Sequence, residues 1–397
     1  MNDHVNDMRR GPRTLFLAHT DVAGGAELAL VRMLLADRAW NAAILLASGD
    51  PRDGVFAPLV GRVPIRVRGV RQLSGAASAP TPAQAGNAVR LLTQAAVVRT
   101  HPAFRSADVV VANTTRSAAY GALAARTSRV PFVVHIRDLA ESEAIGSAGA
   151  SIMQRIVLPR ADGIVADTAR ALASARPFAR DDAVTAVIPS ASGLKPGAPR
   201  VESERPLTVG MLARIDPWKG QELLLDAFAA AFAEGDAVLE LAGSAPFGHE
   251  DFALHLRDRA DALGLGERVR LLGHVEDVDA LLTRWDIAVQ ASTRAEPLGQ
   301  NVLQYLAAGC ATIVADEGGP TEWVEHERNG LRFAPRDVHA LTAALQRLDA
   351  EPALRASLGR AAAATPGLLD DAEVSAKQRD FYADVVGEVA RRTGRSR

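Results

Sequence analysis

The chain has 397 residues, of which 48% are hydrophobic and 23% charged, with a formal net charge of -2. That is the composition of a soluble globular protein too long for one core, and it predicts two domains of about 180 to 200 residues. No apolar run reaches the roughly 18 residues of a membrane span, the early run "TLFLA" is too short for a signal peptide, and the single cysteine, Cys310, excludes an intramolecular disulfide framework or a cysteine metal cluster.

Short apolar runs recur along the chain. The first half holds "TLFLAH", "AAILLAS", "DVVVAN", "FVVHIRD" and "GIVAD"; the second holds "LTVGML", "VLELAGS", "VRLLGHV", "DIAVQAS" and "ATIVAD". Runs of this length, bounded by turn residues, predict strands buried on both faces. Amphipathic stretches such as "GQELLLDAFAAAFAEG" lie between them. Strand alternating with helix means parallel sheets with right-handed crossovers. The pattern occurs twice, so the reading is two doubly wound α/β domains. Their joint falls in "PSASGLKPGAPRVESERP", residues 189–206, and the stretch after about residue 372 reads as a helix with a basic tail. Ligands of such sheets bind beyond the carboxyl ends of the strands, which makes a cleft between the domains the expected site.

Charge is uneven. Residues 1–195 carry 23 Arg and Lys against 15 Asp and Glu, which leaves 22 against 32 for the remainder. The basic half includes Arg62, Arg66, Arg68 and Arg71, and suits peripheral contact with an anionic membrane or a phosphorylated acceptor.

Five stretches offer chemistry. In "MLARIDPWKGQELLLDAF", Arg214 and Lys219 precede a helix that starts near Gly220. Two cations beside a helix start suit a diphosphate. In "RAEPLGQNVLQYLAAG", Glu296 stands just before a helix entered through Pro297 and Gly299. From Gly299 to Gln304 the rise is about 7.5 Å, a spacing for contacts strung along one elongated ligand rather than an acid–base pair on one bond. "ADEGGPTEW" places Gly318 and Gly319 in a tight turn, and "DVAGGAELAL" opens a helix at Gly24 and Gly25 without the G-x-G-x-x-G spacing of a dinucleotide site. His135 stands at a strand end, followed by Arg137 and Asp138. Asp277 and Asp279 read as a helix start rather than a metal pair. There is no phosphate-loop motif, no H-E-x-x-H and no G-x-S-x-G.

Taken in order, "GGAE" (24–27), "ANTTRSAAYGALAAR" (112–126), "VHIRD" (134–138), "ADGIVADT" (161–168), "GMLARIDPWKG" (210–220), "LAGS" (241–244), "RVRLLGHVEDV" (268–278) and "EPLGQNVLQYLAAGCATIVADEGGPTEWV" (296–324) resemble the family 4 retaining glycosyltransferases of bacterial polysaccharide and glycolipid synthesis. The resemblance implies GT-B architecture: two Rossmann-like domains facing a central cleft, residues 1–193 on the acceptor side and 194–371 on the donor side, with 372–397 packing back on the first domain. It implies transfer of a sugar from a nucleotide-diphosphate sugar to an acceptor hydroxyl on a glycan, lipid-linked or small molecule. No metal, cofactor or nucleic acid is expected, and the setting is the cytoplasm or the inner membrane face. Arg214 and Lys219 would hold the diphosphate. Glu296 would bind sugar hydroxyls, with the backbone at Leu298 and Gly299 beside sugar and phosphate. Gly243 would face the donor, and Gly273 to Val275 would border the base. Gly24 and Gly25 would approach the phosphates or the acceptor, His135 the sugar hydroxymethyl group, and Asn113, Arg137 and Asp138 would lie on the acceptor side. The catalytic set so implied is His135, Glu296, Arg214 and Lys219.

One departure stands out. The family pattern is glutamate, seven residues, glutamate, and here the second position is Gln304. Its carbonyl can still accept from a ribose hydroxyl, at a loss of roughly 1 kcal/mol of charge-assisted bonding. The alternative reading is a catalytically silent relative that serves as a binding or partner subunit.

Overall fold

The structure is a computed structural model that describes residues 11–71, 81–195, 206–245 and 249–394. The expected linker falls partly on residues 196–205 and the basic tail partly on 395–397, both outside the described residues. The chain divides into two compact units, Met1–Ala191 with Leu369–Arg397, and Ser192–Leu368.

The first unit is built on seven strands: β1 (Thr14–Ala18), β2 (Ala42–Leu46), β3 (Ile65–Val67), β4 (Val109–Ala112), β5 (Phe132–Ile136), β6 (Gly163–Ala166) and β7 (Val184–Val187). Its helices are α1 (Gly25–Ala36), α2 (Thr81–Thr100), α3 (Pro102–Ser106), α4 (Thr115–Ala125), α5 (Ser142–Ile152) and α6 (Ala169–Ala175). The strands pair in parallel in the order β3-β2-β1-β4-β5-β6-β7. Alternation along each strand fills a core on both faces. Leu15, Leu17, Val110, Val134 and Ile164 enter one cluster. Phe16, Ile44, Val111, Val133 and Val165 enter the other. This two-sided burial is why the strands read as unbroken apolar runs.

The second unit repeats the plan with β8 (Thr208–Leu212), α7 (Gln221–Ala231), β9 (Val238–Ala242), α8 (Glu250–Ala262), β10 (Val269–Gly273), α9 (Val278–Thr283), β11 (Ile287–Gln290), α10 (Gln300–Ala307), β12 (Ala311–Ala315), α11 (Pro320–Trp323), β13 (Leu331–Phe333), α12 (Val338–Ala350) and α13 (Pro352–Ala363). Its six-stranded parallel sheet runs β10-β9-β8-β11-β12-β13. The order reverses between β8 and β11, as it does between β1 and β4 in the first unit. Loops at such switch points diverge and leave room for a ligand.

The last helix, α14 (Asp371–Arg392), belongs to the first unit. A capping box at Asp370 and Glu373 starts it. Tyr382 and Val385 enter the core under β1 and β6, and Val385 fills the space a side chain at Gly163 would need. All ten predicted strand runs are strands. The edge strands β3, β7 and β13 were not among them. Asp277 caps α9, as its sequence context indicated.

Candidate functional site

In the second unit the candidate residues gather on the loops after β8, β11 and β12. Asp216 caps a short turn, Pro217–Lys219, and Gly220 then opens α7. Gly220 has φ +80°, and a Cβ there would stand 1.9 Å from the Ala291 carbonyl oxygen. Only glycine lets the loop after β8 lie this close to the chain leaving β11. The approach brings the Lys219 ammonium into an ion pair with the Glu296 carboxylate, while Nζ also lies 3.9 Å from the Trp218 ring centre. The Ser292 hydroxyl donates to the same Glu296 oxygen at 2.8 Å. Both charged side chains are largely buried, 16% and 8% exposed.

The turn after β12 holds Glu296 from behind. Gly319 N–H donates to the Glu296 carbonyl at 2.7 Å. Gly318 has φ +75°, with room for a Cβ denied by that carbonyl at 2.4 Å. The glycine pair read in the sequence as a plain turn therefore serves Glu296. Gly299 caps α10, and Leu298 before it is buried. Asn301 Nδ2 donates to the Leu212 carbonyl at 3.0 Å, and the Tyr305 hydroxyl accepts from Leu212 N–H at 2.7 Å, so α10 is pinned to the end of β8. Burial pushes the Tyr305 phenol up, which keeps it neutral.

Arg214 is half-exposed beside Asp216, its Nη2 3.9 Å from the carboxylate, and Gln221 Nε2 donates to its backbone carbonyl at 2.7 Å. Gly243 N–H donates to the Gly273 carbonyl at 2.7 Å, which joins the ends of β9 and β10, and Val275 packs on the small cluster around Trp285. Gln304 Nε2 donates to the Ser192 carbonyl at 2.9 Å.

In the first unit a buried polar network crosses the carboxyl ends of β4, β5, β6 and β7. His135 Nε2 donates to Asp167 Oδ1 at 2.7 Å. Ser190 Oγ lies 2.8 Å from both Asp167 oxygens and accepts from Arg137 Nη1. Arg137 also donates through Nε to the Asn113 carbonyl at 3.1 Å and through Nη2 to Asn113 Oδ1 at 2.9 Å. Asn113 Nδ2 passes the chain on to the Ala26 carbonyl in α1 at 3.0 Å. Burial, with Arg137 adding to it, lowers the His135 imidazole against the pull of Asp167. Burial would raise the Asp167 carboxyl, but its contacts with His135, Arg137 and Ser190 outweigh burial and hold it below its ordinary value. The pair is a neutral imidazole donating to a carboxylate.

A second group sits at the start of α1. His19 Nε2 faces Arg116 Nη1 at 3.2 Å, and since arginine only donates, Nε2 accepts and Nδ1 carries the proton toward Thr114 Oγ1 at 3.1 Å. Burial first, and Arg116 second, lower His19 to about 4. The Glu27 carboxyl is buried and raised by that burial, with Oε1 left without a hydrogen bond. Its other oxygen lies 2.7 Å from where a Cβ on Gly24 would be, so Gly24 makes room for Glu27. Among the described residues no cluster of three or more His, Cys, Asp or Glu side chains could hold a metal.

A family profile described as "Glycosyl transferase 4-like domain" matches residues 24–191, and one described as "Glycosyl transferases group 1" matches residues 198–365. The chain belongs to the glycosyltransferases of GT-B architecture. This glycosyltransferase is 32% identical over 136 residues to mannosylfructose-phosphate synthase of Agrobacterium fabrum, covering 33% of this chain and 30% of that protein. It is 30% identical over 154 residues to the lipopolysaccharide core biosynthesis mannosyltransferase LpcC of Rhizobium leguminosarum bv. viciae, covering 38% and 43%. The alignments thus span less than half of either relative. The crystal structure of Anabaena HepE in complex with UDP and glucose superposes with a TM-score of 0.74 at 24% identity, over 93% of this chain and 98% of that one. That likeness carries the fold.

Within the glycosyltransferase, the residues named from sequence fall into two groups. Lys219, Glu296, Leu298 and Gly299 lie on loops at the ends of adjacent strands, with Arg214 on the same loop as Lys219. His135, Arg137 and Asn113 form one buried network, while Asp138 accepts from Thr115 Oγ1 at 3.4 Å at the start of α4. Ser292, Asp167, Ser190 and Glu27 were not singled out by sequence reasoning. Glu27 and Asp167 left a signal, as residues of the quoted motifs "GGAE" and "ADGIVADT".

Proposed function

We propose that this glycosyltransferase is a retaining, metal-independent family 4 enzyme. It moves a sugar from a nucleotide-diphosphate sugar to an acceptor hydroxyl in the synthesis of cell-surface polysaccharide or glycolipid. The observation that carries the reading is the Lys219–Glu296 pair, buried at the switch point of the second sheet with Arg214 on the same loop. A cation and a sugar-binding carboxylate so placed suit the two ends of a glycosyl diphosphate. The acceptor hydroxyl attacks the anomeric carbon from the face the diphosphate leaves, the glycosidic bond forms as the carbon–phosphate oxygen bond breaks, and a leaving phosphate oxygen takes the hydroxyl proton. Arg214, Lys219 and the starts of α7 and α10 stabilise the charge that grows on the diphosphate. Glu296 accepts from hydroxyls of the donor sugar. The UDP and UDP-glucose found in the HepE structures make uridine diphosphate sugars the first donors to test. The two matched relatives support a glycan or sugar-phosphate acceptor, and the basic first half supports work at an anionic membrane face.

The test is nucleotide release from a panel of uridine, guanosine and adenosine diphosphate sugars, with and without lipid-linked and oligosaccharide acceptors. Acceptor-dependent release that falls about 100-fold or more in Lys219→Ala supports the reading. Equal release by wild type and variant, or none across the panel, overturns it.

A further inference from the structure

Residue 304 has a partner that the glycosyl-transfer reading does not require. The second unit begins at Ser192, and residues 192–195 lie along α10. Leu194 packs with Leu298, Leu303 and Ala307, and Lys195 pairs with Asp279 at the start of α9. Between these contacts Gln304 Nε2 donates to the Ser192 carbonyl at 2.9 Å. A carbonyl oxygen can only accept, so this place calls for a donor. Glutamine has one. An ionised glutamate of the same shape has none, and would set a carboxylate oxygen against the carbonyl. Losing the bond costs a net hydrogen bond, and the repulsion adds to it.

We propose that Gln304 is a positioning residue: its amide fixes residues 192–195 along α10, and its carbonyl oxygen is thereby turned toward the donor. The glutamine is then matched to the lead-in segment rather than a weakened copy of a glutamate. Only the donor-affinity part of this proposal rests on the glycosyl-transfer reading. The contact itself is tested without substrate.

The experiment compares wild type with Gln304→Glu and Gln304→Met, a near-isostere with no donor. Melting temperatures are taken at pH 8 and pH 5, each variant against wild type at the same pH. Gln304→Glu loses about 3 °C at pH 8, the scale expected for one lost hydrogen bond in a unit of this size. It regains most of that at pH 5, where a carboxyl raised by its carbonyl neighbour is protonated and its O–H can donate. Gln304→Met loses a similar amount at both pH values. With a donor that the wild type uses, both variants raise KM several-fold at pH 8 with kcat less changed, and the Gln304→Glu effect shrinks toward pH 5. Gln304→Glu melting with wild type at pH 8, or a loss that is the same at both pH values, overturns the contact role. A changed melt with unchanged KM overturns the donor-positioning role. If wild type binds no nucleotide sugar, the assigned function falls while the melting result still decides the contact.

Discussion

Removing Lys219 should affect folding as well as catalysis, because its partner is buried. The pair sits at hydrogen-bond range with Glu296 8% exposed. At an effective dielectric of about 20 the gross attraction is about 4 kcal/mol. Desolvation of two largely buried ions offsets more than half of it, which leaves a coupling of about 1–2 kcal/mol. Lys219→Met strands the Glu296 carboxylate with only Ser292 as donor, and the expected cost is about 2 kcal/mol, or roughly 5 °C in melting temperature. Glu296→Gln keeps an acceptor for Ser292 and should cost about 1 kcal/mol. The double variant should cost about 1–2 kcal/mol less than the sum of the two singles. The assay is a double-mutant cycle by urea denaturation. Additive costs, with coupling below about 0.3 kcal/mol, would refute the reasoning.

Other expected outcomes follow from single contacts. His19, lowered from 6.5 to about 4 in the fold, stays neutral where the unfolded chain takes up a proton. Its stabilising effect is whole above pH 6.5 and is lost progressively as pH falls to about 4, by about 3 kcal/mol. His19→Gln should flatten the urea-unfolding profile over that window; an unchanged slope contradicts the assignment. Gly220→Ala should cost about 3 kcal/mol or more, because its Cβ would lie 1.9 Å from Ala291 O. Gly235→Ala, at φ +101° with nothing within 4 Å, should cost about 1 kcal/mol by the same urea titration. Asp167→Asn leaves His135, Ser190 and Arg137 without their common acceptor charge and should cost about 3 kcal/mol, read as a lower melting temperature.

Much of this was legible in the sequence because parallel strands covered on both faces are apolar throughout. β1, "TLFLA", has all five residues buried, and β5, "FVVHI", likewise. The missed strands are edges of three or four residues. "IRV" of β3 and "VTAV" of β7 are half-exposed, so no apolar run marks them. Helix starts at Gly220 and Gly299 were visible because glycine marks the left-handed backbone turn that each requires, and the one at Gly24 because glycine there leaves room for Glu27. The partners of the site residues were not. Asp167 lies 32 positions from His135 and Ser192 lies 112 from Gln304, so their contacts exist only once the sheets are wound. The meaning of Gln304 changed for that reason. In the sequence it is a lost charge; in the fold it is a donor to a carbonyl. Glu27 was in plain view, but its burial and its unbonded oxygen are properties of packing.

The most direct measurement is titration calorimetry of uridine diphosphate sugars into wild type and Lys219→Ala, under matched salt. The account predicts saturable one-site binding to wild type, weakened about 100-fold or more by the substitution, with the variant still folded by circular dichroism. Equal affinity of the two folded proteins would contradict the assignment of Lys219 and Glu296 as the donor site.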